Sequence, residues 1–257
     1  MRLIDTGLLV GPCPFREVPS GVEDLRLLKE RAGIDRAIAT GFRSLLYYDP
    51  AAGLEQDLAQ YASLADWLYF YAVINPEFPR LEHQVRHAAE NRRVVGLRLV
   101  PALHHYDLQA DRVQRIMALA VEYGLPVNLM ARVFDGRVAP RYVDQAEVDA
   151  GSLVRFLEHN REARVILSMF FFNELKGYDI DWDCWPQVYL DLGCSKPSVS
   201  SLDELGTWFP LGRVLFGTGA PFYYWEGSRL GLDGARITEE QKQAVMGGNA
   251  EEVFTWD

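Results

Sequence analysis

The stretch GRVLFGTGAPF, residues 212–222, decides how this chain is read. Its Val214-Leu215-Phe216 core is β-branched and aromatic, and it opens into a glycine turn. A short apolar run bounded by Gly or Pro reads as a buried strand. Seven similar runs precede it: RLID (2–5), RAIAT (36–40), LYFYAVI (68–74), VVGLRLV (94–100), PVNLMA (126–131), RVILSM (164–169) and QVYLDL (187–192). RVLFG (213–217) is the eighth. Amphipathic helical patterns separate them. In GVEDLRLLKERAG (21–33), Val22, Leu25 and Leu28 share one face, and the pattern stops at glycine. ADRVQRIMALAVEYG (110–124) aligns Val113, Ile116, Met117 and Ala120 and also ends at glycine. TEEQKQAVMGG (238–248) begins with a Thr cap and an acidic first turn. Eight strands alternating with helices predict a parallel sheet closed into a (β/α)8 TIM barrel, one domain over residues 1–257. The rival is an open doubly wound sheet. No G-x-G-x-x-G follows the first run, which weakens its dinucleotide-binding version.

Composition narrows the function classes. Of 257 residues 49% are hydrophobic, enough for one large core. The net charge of −10, from 26 basic and 36 acidic residues, argues against nucleic acid, whose binding needs a basic surface. Three widely spaced cysteines, Cys13, Cys184 and Cys194, suggest neither a disulfide framework nor a zinc knuckle. MRLIDTGLLV at the N-terminus carries no long apolar run, so neither a signal peptide nor a membrane span is expected, and a cytoplasmic protein is.

In a barrel, strand C-termini face the active site. There the chain resembles a family. IDTGLLVGPCPF (4–15) resembles the opening of the amidohydrolase-related proteins, the amidohydrolase 2 group of metal-dependent hydrolases and decarboxylases. AVINPEFP (72–79), GLRLVPALHHYDL (96–108), RVLFGTGAPF (213–222) and MGGNAEEVF (246–254) resemble later segments of that group, in the same order. The resemblance covers nearly the whole chain and implies a barrel hydrolase. It also implies a departure. The group opens D-x-H-x-H and ends its last strand FG-[ST]-D-x-P. Here Asp5 matches, but the two histidine positions are Gly7 and Leu9, and the final aspartate is Gly219. The fifth- and sixth-strand histidines fall at or near Met130 and at Met169. A divalent site needs imidazole or carboxylate donors, so no zinc or other metal cofactor is expected. His83 and His87, at i, i+4 spacing, are read as a solvated helix face, and His159 as a cation at a helix C-terminus.

The polar groups that remain carry two readings each. Asp5 and Arg98 lie in otherwise apolar strands; they form a buried ion pair or bind a ligand. His104 and His105 follow the fourth strand, where His105 is a candidate acid or base, or packs on Tyr106. Arg132 is a carboxylate clamp or a salt bridge to Asp135. Asp191, Cys194 and Lys196 end the seventh strand; Asp191 and Lys196 are candidate catalytic groups, or Asp191 caps the loop and Cys194 fills the core. Tyr47, Tyr48, Phe170, Phe171, Phe172, Phe222, Tyr223, Tyr224 and Trp225 crowd the expected mouth as pocket or plug.

Three functions are compatible with these residues. The first is a metal-free amidohydrolase-like barrel that binds a small organic acid or apolar molecule at Gly7, Leu9, Arg98, His104, Met130, Arg132, Met169 and Gly219. The second is a metal-independent hydrolase or decarboxylase of a small carboxylate or lactone, using His105, Asp191 or Lys196. The third is a non-catalytic subunit that docks through its aromatic mouth. A homo-oligomer is compatible with each; a membrane or nucleic-acid partner is not expected.

Overall fold

The apolar runs form eight strands: β1 (Ile4–Val10), β2 (Arg36–Gly41), β3 (Leu68–Val73), β4 (Val94–Leu99), β5 (Val127–Met130), β6 (Val165–Ser168), β7 (Val188–Asp191) and β8 (Val214–Leu215). The structure is a computed structural model that describes residues 2–136, 139–141, 143–193 and 201–256. All neighbouring strands pair in parallel, in sequence order from β1 to β8. The last strand returns to the first. Thr6 donates to the Phe216 carbonyl at 2.8 Å, Gly219 to Gly7 at 3.0 Å, and Leu9 to Ala220 at 2.9 Å. Eight parallel strands nearly closed on themselves, alternating with helices, make this a TIM barrel.

Local chemistry accounts for the elements. The helix Val22–Ala32 buries Leu25 and Leu28 and stops at Gly33, which holds the left-handed φ of 68° that ends a helix at low cost. The helix Asp111–Glu122 buries the predicted Val113, Ile116, Met117 and Ala120. The predicted 238–248 helix differs from expectation. It is α-helical over Glu239–Gln243, widens to a π turn over Ala244–Gly248, and resumes over Asn249–Val253. Gly247 sits where an added Cβ would lie 2.6 Å from the Arg2 carbonyl, so the chain widens where it meets β1. β1 carries a register shift between Asp5 and Leu8.

Three zones of core follow. Alternate strand residues such as Leu8, Ala39, Phe70, Leu97, Leu129 and Leu167 face outward and pack under the helices. At the N-terminal end, Ile4, Ile38, Tyr69, Ile166 and Leu215 form a floor closed by Val253 and Phe254. At the C-terminal end, Leu9, Val73, Val100, Met130, Met169 and Phe222 form an apolar cap with Phe42 and Phe134. No helix among the described residues is long and apolar enough to cross a membrane.

Candidate functional site

Between floor and cap lies a polar layer with contributions from all eight strands or their ends. The side chains are Asp5, Thr40, Tyr71, Arg98, Asn128, Ser168, Asp191 and Thr218; all are buried. Period-two alternation puts them there: Ile38 below and Thr40 above, Tyr69 then Tyr71, Ile166 then Ser168. Gly96 makes room for Tyr71, since a Cβ there would stand 3.0 Å from its ring.

Asp5 is fully buried and spent on its own seam. Its oxygens accept the Thr218 hydroxyl at 2.6 Å, the Gly7 N–H at 3.0 Å and the Thr218 N–H at 3.3 Å. Burial lifts its carboxyl from 3.8 to about 6 against the pull of those bonds, and the charge of Asp191 adds to the rise. Asp191 is also wholly buried. It accepts from Gly193 N–H at 2.9 Å and from the Asn128 amide at 3.5 Å, with Ser168 as a further partner. Burial raises its carboxyl too, opposed by Ser168 and by the charge of Arg98. Close approach explains its glycines: an added Cβ would lie 3.2 Å from the Asp191 carboxylate at Gly217 and 2.9 Å from it at Gly193.

Arg98 is 1% exposed. Its guanidinium lies 4.6 Å from the centre of the Tyr71 ring, and Nη1 reaches the Met130 sulfur at 3.8 Å. Nε and Nη2 have no hydrogen-bond partner among the described residues. Burial lowers its pKa while Tyr71 and Asp191 oppose the change. The expected Asp5–Arg98 pair does not form. Thr218 and Gly7, at the β1–β8 seam, capture Asp5, whereas Arg98 stands on β4 with Asp191 as its nearest carboxylate influence. The layer holds further atoms without a hydrogen-bond partner among the described residues: Thr40 Oγ1, Asn128 Oδ1 and the Tyr71 hydroxyl.

The other expected site residues are dispersed. His105 is exposed, in a left-handed turn with φ of 54°, and shares no hydrogen bond with the buried Asp191. His104 turns away to the Leu45 carbonyl at 3.0 Å, and burial lowers its pKa. Arg132 takes Glu174 at 2.7 Å, rather than Asp135, as its salt-bridge partner, and donates to the Met169 carbonyl at 2.8 Å. Lys196 and Cys194 lie outside the described residues. Of the expected mouth aromatics, Phe222 and the partly buried Tyr223 join Phe42 and Phe134 in the cap, while Tyr48 and Tyr224 face solvent at 87% and 88% exposure. Thr40, Tyr71, Asn128, Ser168 and Thr218 were missed from sequence. Their signal was one polar residue at an inward position of each apolar run.

The positions that the sequence resemblance marks out, Gly7, Leu9, Met130, Met169 and Gly219, carry no imidazole or carboxylate. Leu9, Met130 and Met169 are buried in the apolar cap. Gly7 has no side chain, though a Cβ there would meet nothing nearer than 3.6 Å. Gly219 has φ of 71°, and its Cβ would strike the Tyr223 ring at 2.7 Å. Met169 also holds a positive φ of 61°, a strained conformation of the kind that gathers at functional sites. Among the described residues no group of three or more His, Cys, Asp or Glu side chains is placed to share an ion.

No family model matches the chain, and no curated protein matches it. Solved structures do. An uncharacterised TIM-barrel protein from Bordetella bronchiseptica is 17% identical, with a TM-score of 0.74 over 98% of both chains. The 2,6-dihydroxybenzoate decarboxylase from Rhizobium is 13% identical, with a TM-score of 0.72 over 98% of both chains. A dihydroxybenzoic acid decarboxylase from Polaromonas, solved with manganese and the inhibitor 2-nitroresorcinol, is 15% identical, with a TM-score of 0.73 over 98% of this chain and 96% of its own. At these identities the likeness establishes the fold: a TIM barrel of the shape that these decarboxylases also adopt.

Proposed function

We propose that this chain is an amidohydrolase-like barrel that binds a small organic acid through Arg98, without the family's divalent metal. The observation that carries the reading is Arg98, wholly buried with Nε and Nη2 unbonded. A buried guanidinium with free N–H groups is costly unless an anion completes it. Its planar fork suits a carboxylate. Aromatic acids are named as substrates of two structural neighbours, and the residues at the family's metal positions offer no imidazole or carboxylate.

Thermal unfolding with benzoate and with benzamide tests this. A ligand that binds only the folded state raises Tm. Benzoate is expected to raise it, benzamide is not, and Arg98→Met is expected to lose the benzoate response. An equal benzoate response in Arg98→Met overturns the reading. Elemental analysis of protein purified without chelator is expected to show no stoichiometric zinc, iron or manganese; one equivalent would overturn its metal-free half.

A second reading, metal-independent hydrolysis or decarboxylation, is favoured by Asp5. A carboxyl lifted to about 6 in the layer that holds Arg98 is a usable proton donor or acceptor near neutral pH. Turnover of the bound acid that disappears in Asp5→Asn while binding persists would establish it.

A further inference from the structure

We infer that the acid held by Arg98 is a monocarboxylate whose far end is an uncharged hydrocarbon. This rests on the Arg98 reading above and narrows it to a ligand class. A carboxylate on Arg98 sits in the polar layer, so the rest of the molecule projects toward the apolar cap. That cap is built from Leu9, Val73, Val100, Met130, Met169 and Phe222, all nearly inaccessible. None of them donates or accepts a strong hydrogen bond or carries a charge.

Three cations beside the cap, among the described residues, are already committed. Arg16 stacks 4.1 Å over the Phe222 ring and donates to the Phe222 carbonyl. Arg43 pairs with the buried Asp57 at 2.5 Å. Arg132 is taken by Glu174 and the Met169 carbonyl. A second carboxylate at the far end would therefore be buried with no free counter-ion among the described residues, which is far costlier than burying hydrocarbon. A far-end hydroxyl would lose its water bonds among these six side chains, and the Tyr223 hydroxyl at the edge of the cap already donates to the Val133 carbonyl. Met130 and Met169 are unbranched and adaptable, so they accommodate hydrocarbon bodies of differing outline.

Titration calorimetry with four probes of similar size tests this: benzoate, 4-methylbenzoate, 4-hydroxybenzoate and terephthalate. Benzoate and 4-methylbenzoate are expected to bind most tightly. 4-Hydroxybenzoate should bind about tenfold more weakly, and terephthalate about 100-fold more weakly. Each measurement is repeated in Arg98→Met, with folding checked by near-UV circular dichroism. Terephthalate binding as tightly as benzoate, and lost in Arg98→Met, overturns this inference while leaving the Arg98 site standing. If none of the probes binds in an Arg98-dependent way, the site reading fails and the inference with it.

Discussion

Asp5 makes the fold's stability depend on pH. Its carboxyl titrates at about 6 in the folded chain against 3.8 as an ordinary aspartate. Between those values the folded state holds more protons than the unfolded one. Stability therefore falls as pH rises through the window and levels off above about 6. A shift of this size corresponds to about 3 kcal/mol. Asp5→Asn removes the charge and keeps an oxygen for the Gly7 and Thr218 N–H groups. Its urea midpoint is expected to exceed that of the parent protein at pH 7.5, with the advantage gone at pH 4. An advantage of the same size at both pH values would show that burial of the charge is not the cause. Gly7 and Gly219 also part company at this scale. Gly7 could accept a side chain, whereas Gly219 combines a left-handed backbone with a ring at its Cβ, so aspartate there is strained before any ion is considered.

The β1-to-helix connection, residues 11–21, works as a strap across the mouth. Cys13, Phe15 and Val18 pack on the apolar cap. Phe15 meets Phe134 edge-on at 5.3 Å, and Arg16 covers Phe222. The ends are tied separately: Ser20 donates to the Gly11 carbonyl at 3.0 Å, and the Tyr61 hydroxyl to the Ser20 carbonyl at 2.6 Å. Removing the middle contacts should therefore loosen the strap without unfolding the barrel. In Phe15→Ala/Arg16→Ala, amide exchange over residues 13–19 is expected to speed up while exchange in β3 to β5 stays unchanged. Faster exchange throughout the barrel would mean that the strap is part of the global fold.

Over the whole molecule, the barrel is stoppered at both ends. The cap closes one; the chain's own C-terminus closes the other. Phe254 lies 6.0 Å from Tyr71, and Trp256 lies 5.2 Å from Tyr69, ring to ring. Phe254 is buried in the floor cluster, whose other buried residues come from six strands and the Asn249–Val253 helix. Phe254→Ala is expected to lower stability by about 3–5 kcal/mol, as for a large aromatic removed from a core. Guanidinium unfolding checks this, and a loss below about 1 kcal/mol would show that the floor seals itself.

The sequence by itself determined the barrel. Eight apolar runs, each long enough for one strand and separated by helix-length segments, leave few ways to bury every face, and sequential parallel pairing is one of them. It also set the inward alternation that buries Arg98 and Asp191. Which charges meet was decided only by tertiary structure. Asp5 and Arg98 read as partners because each is a lone charge in an apolar strand, but strand number sets position around a closed ring. β1 meets β8, so Asp5 found Thr218; β4 stands between β3 and β5, so Arg98 found the Tyr71 ring and the Met130 sulfur. His105 likewise follows the correct strand, yet a left-handed turn carries it out to solvent. Period along a strand is local and legible in sequence; azimuth around a barrel and the exit angle of a loop are set by closure of the whole sheet.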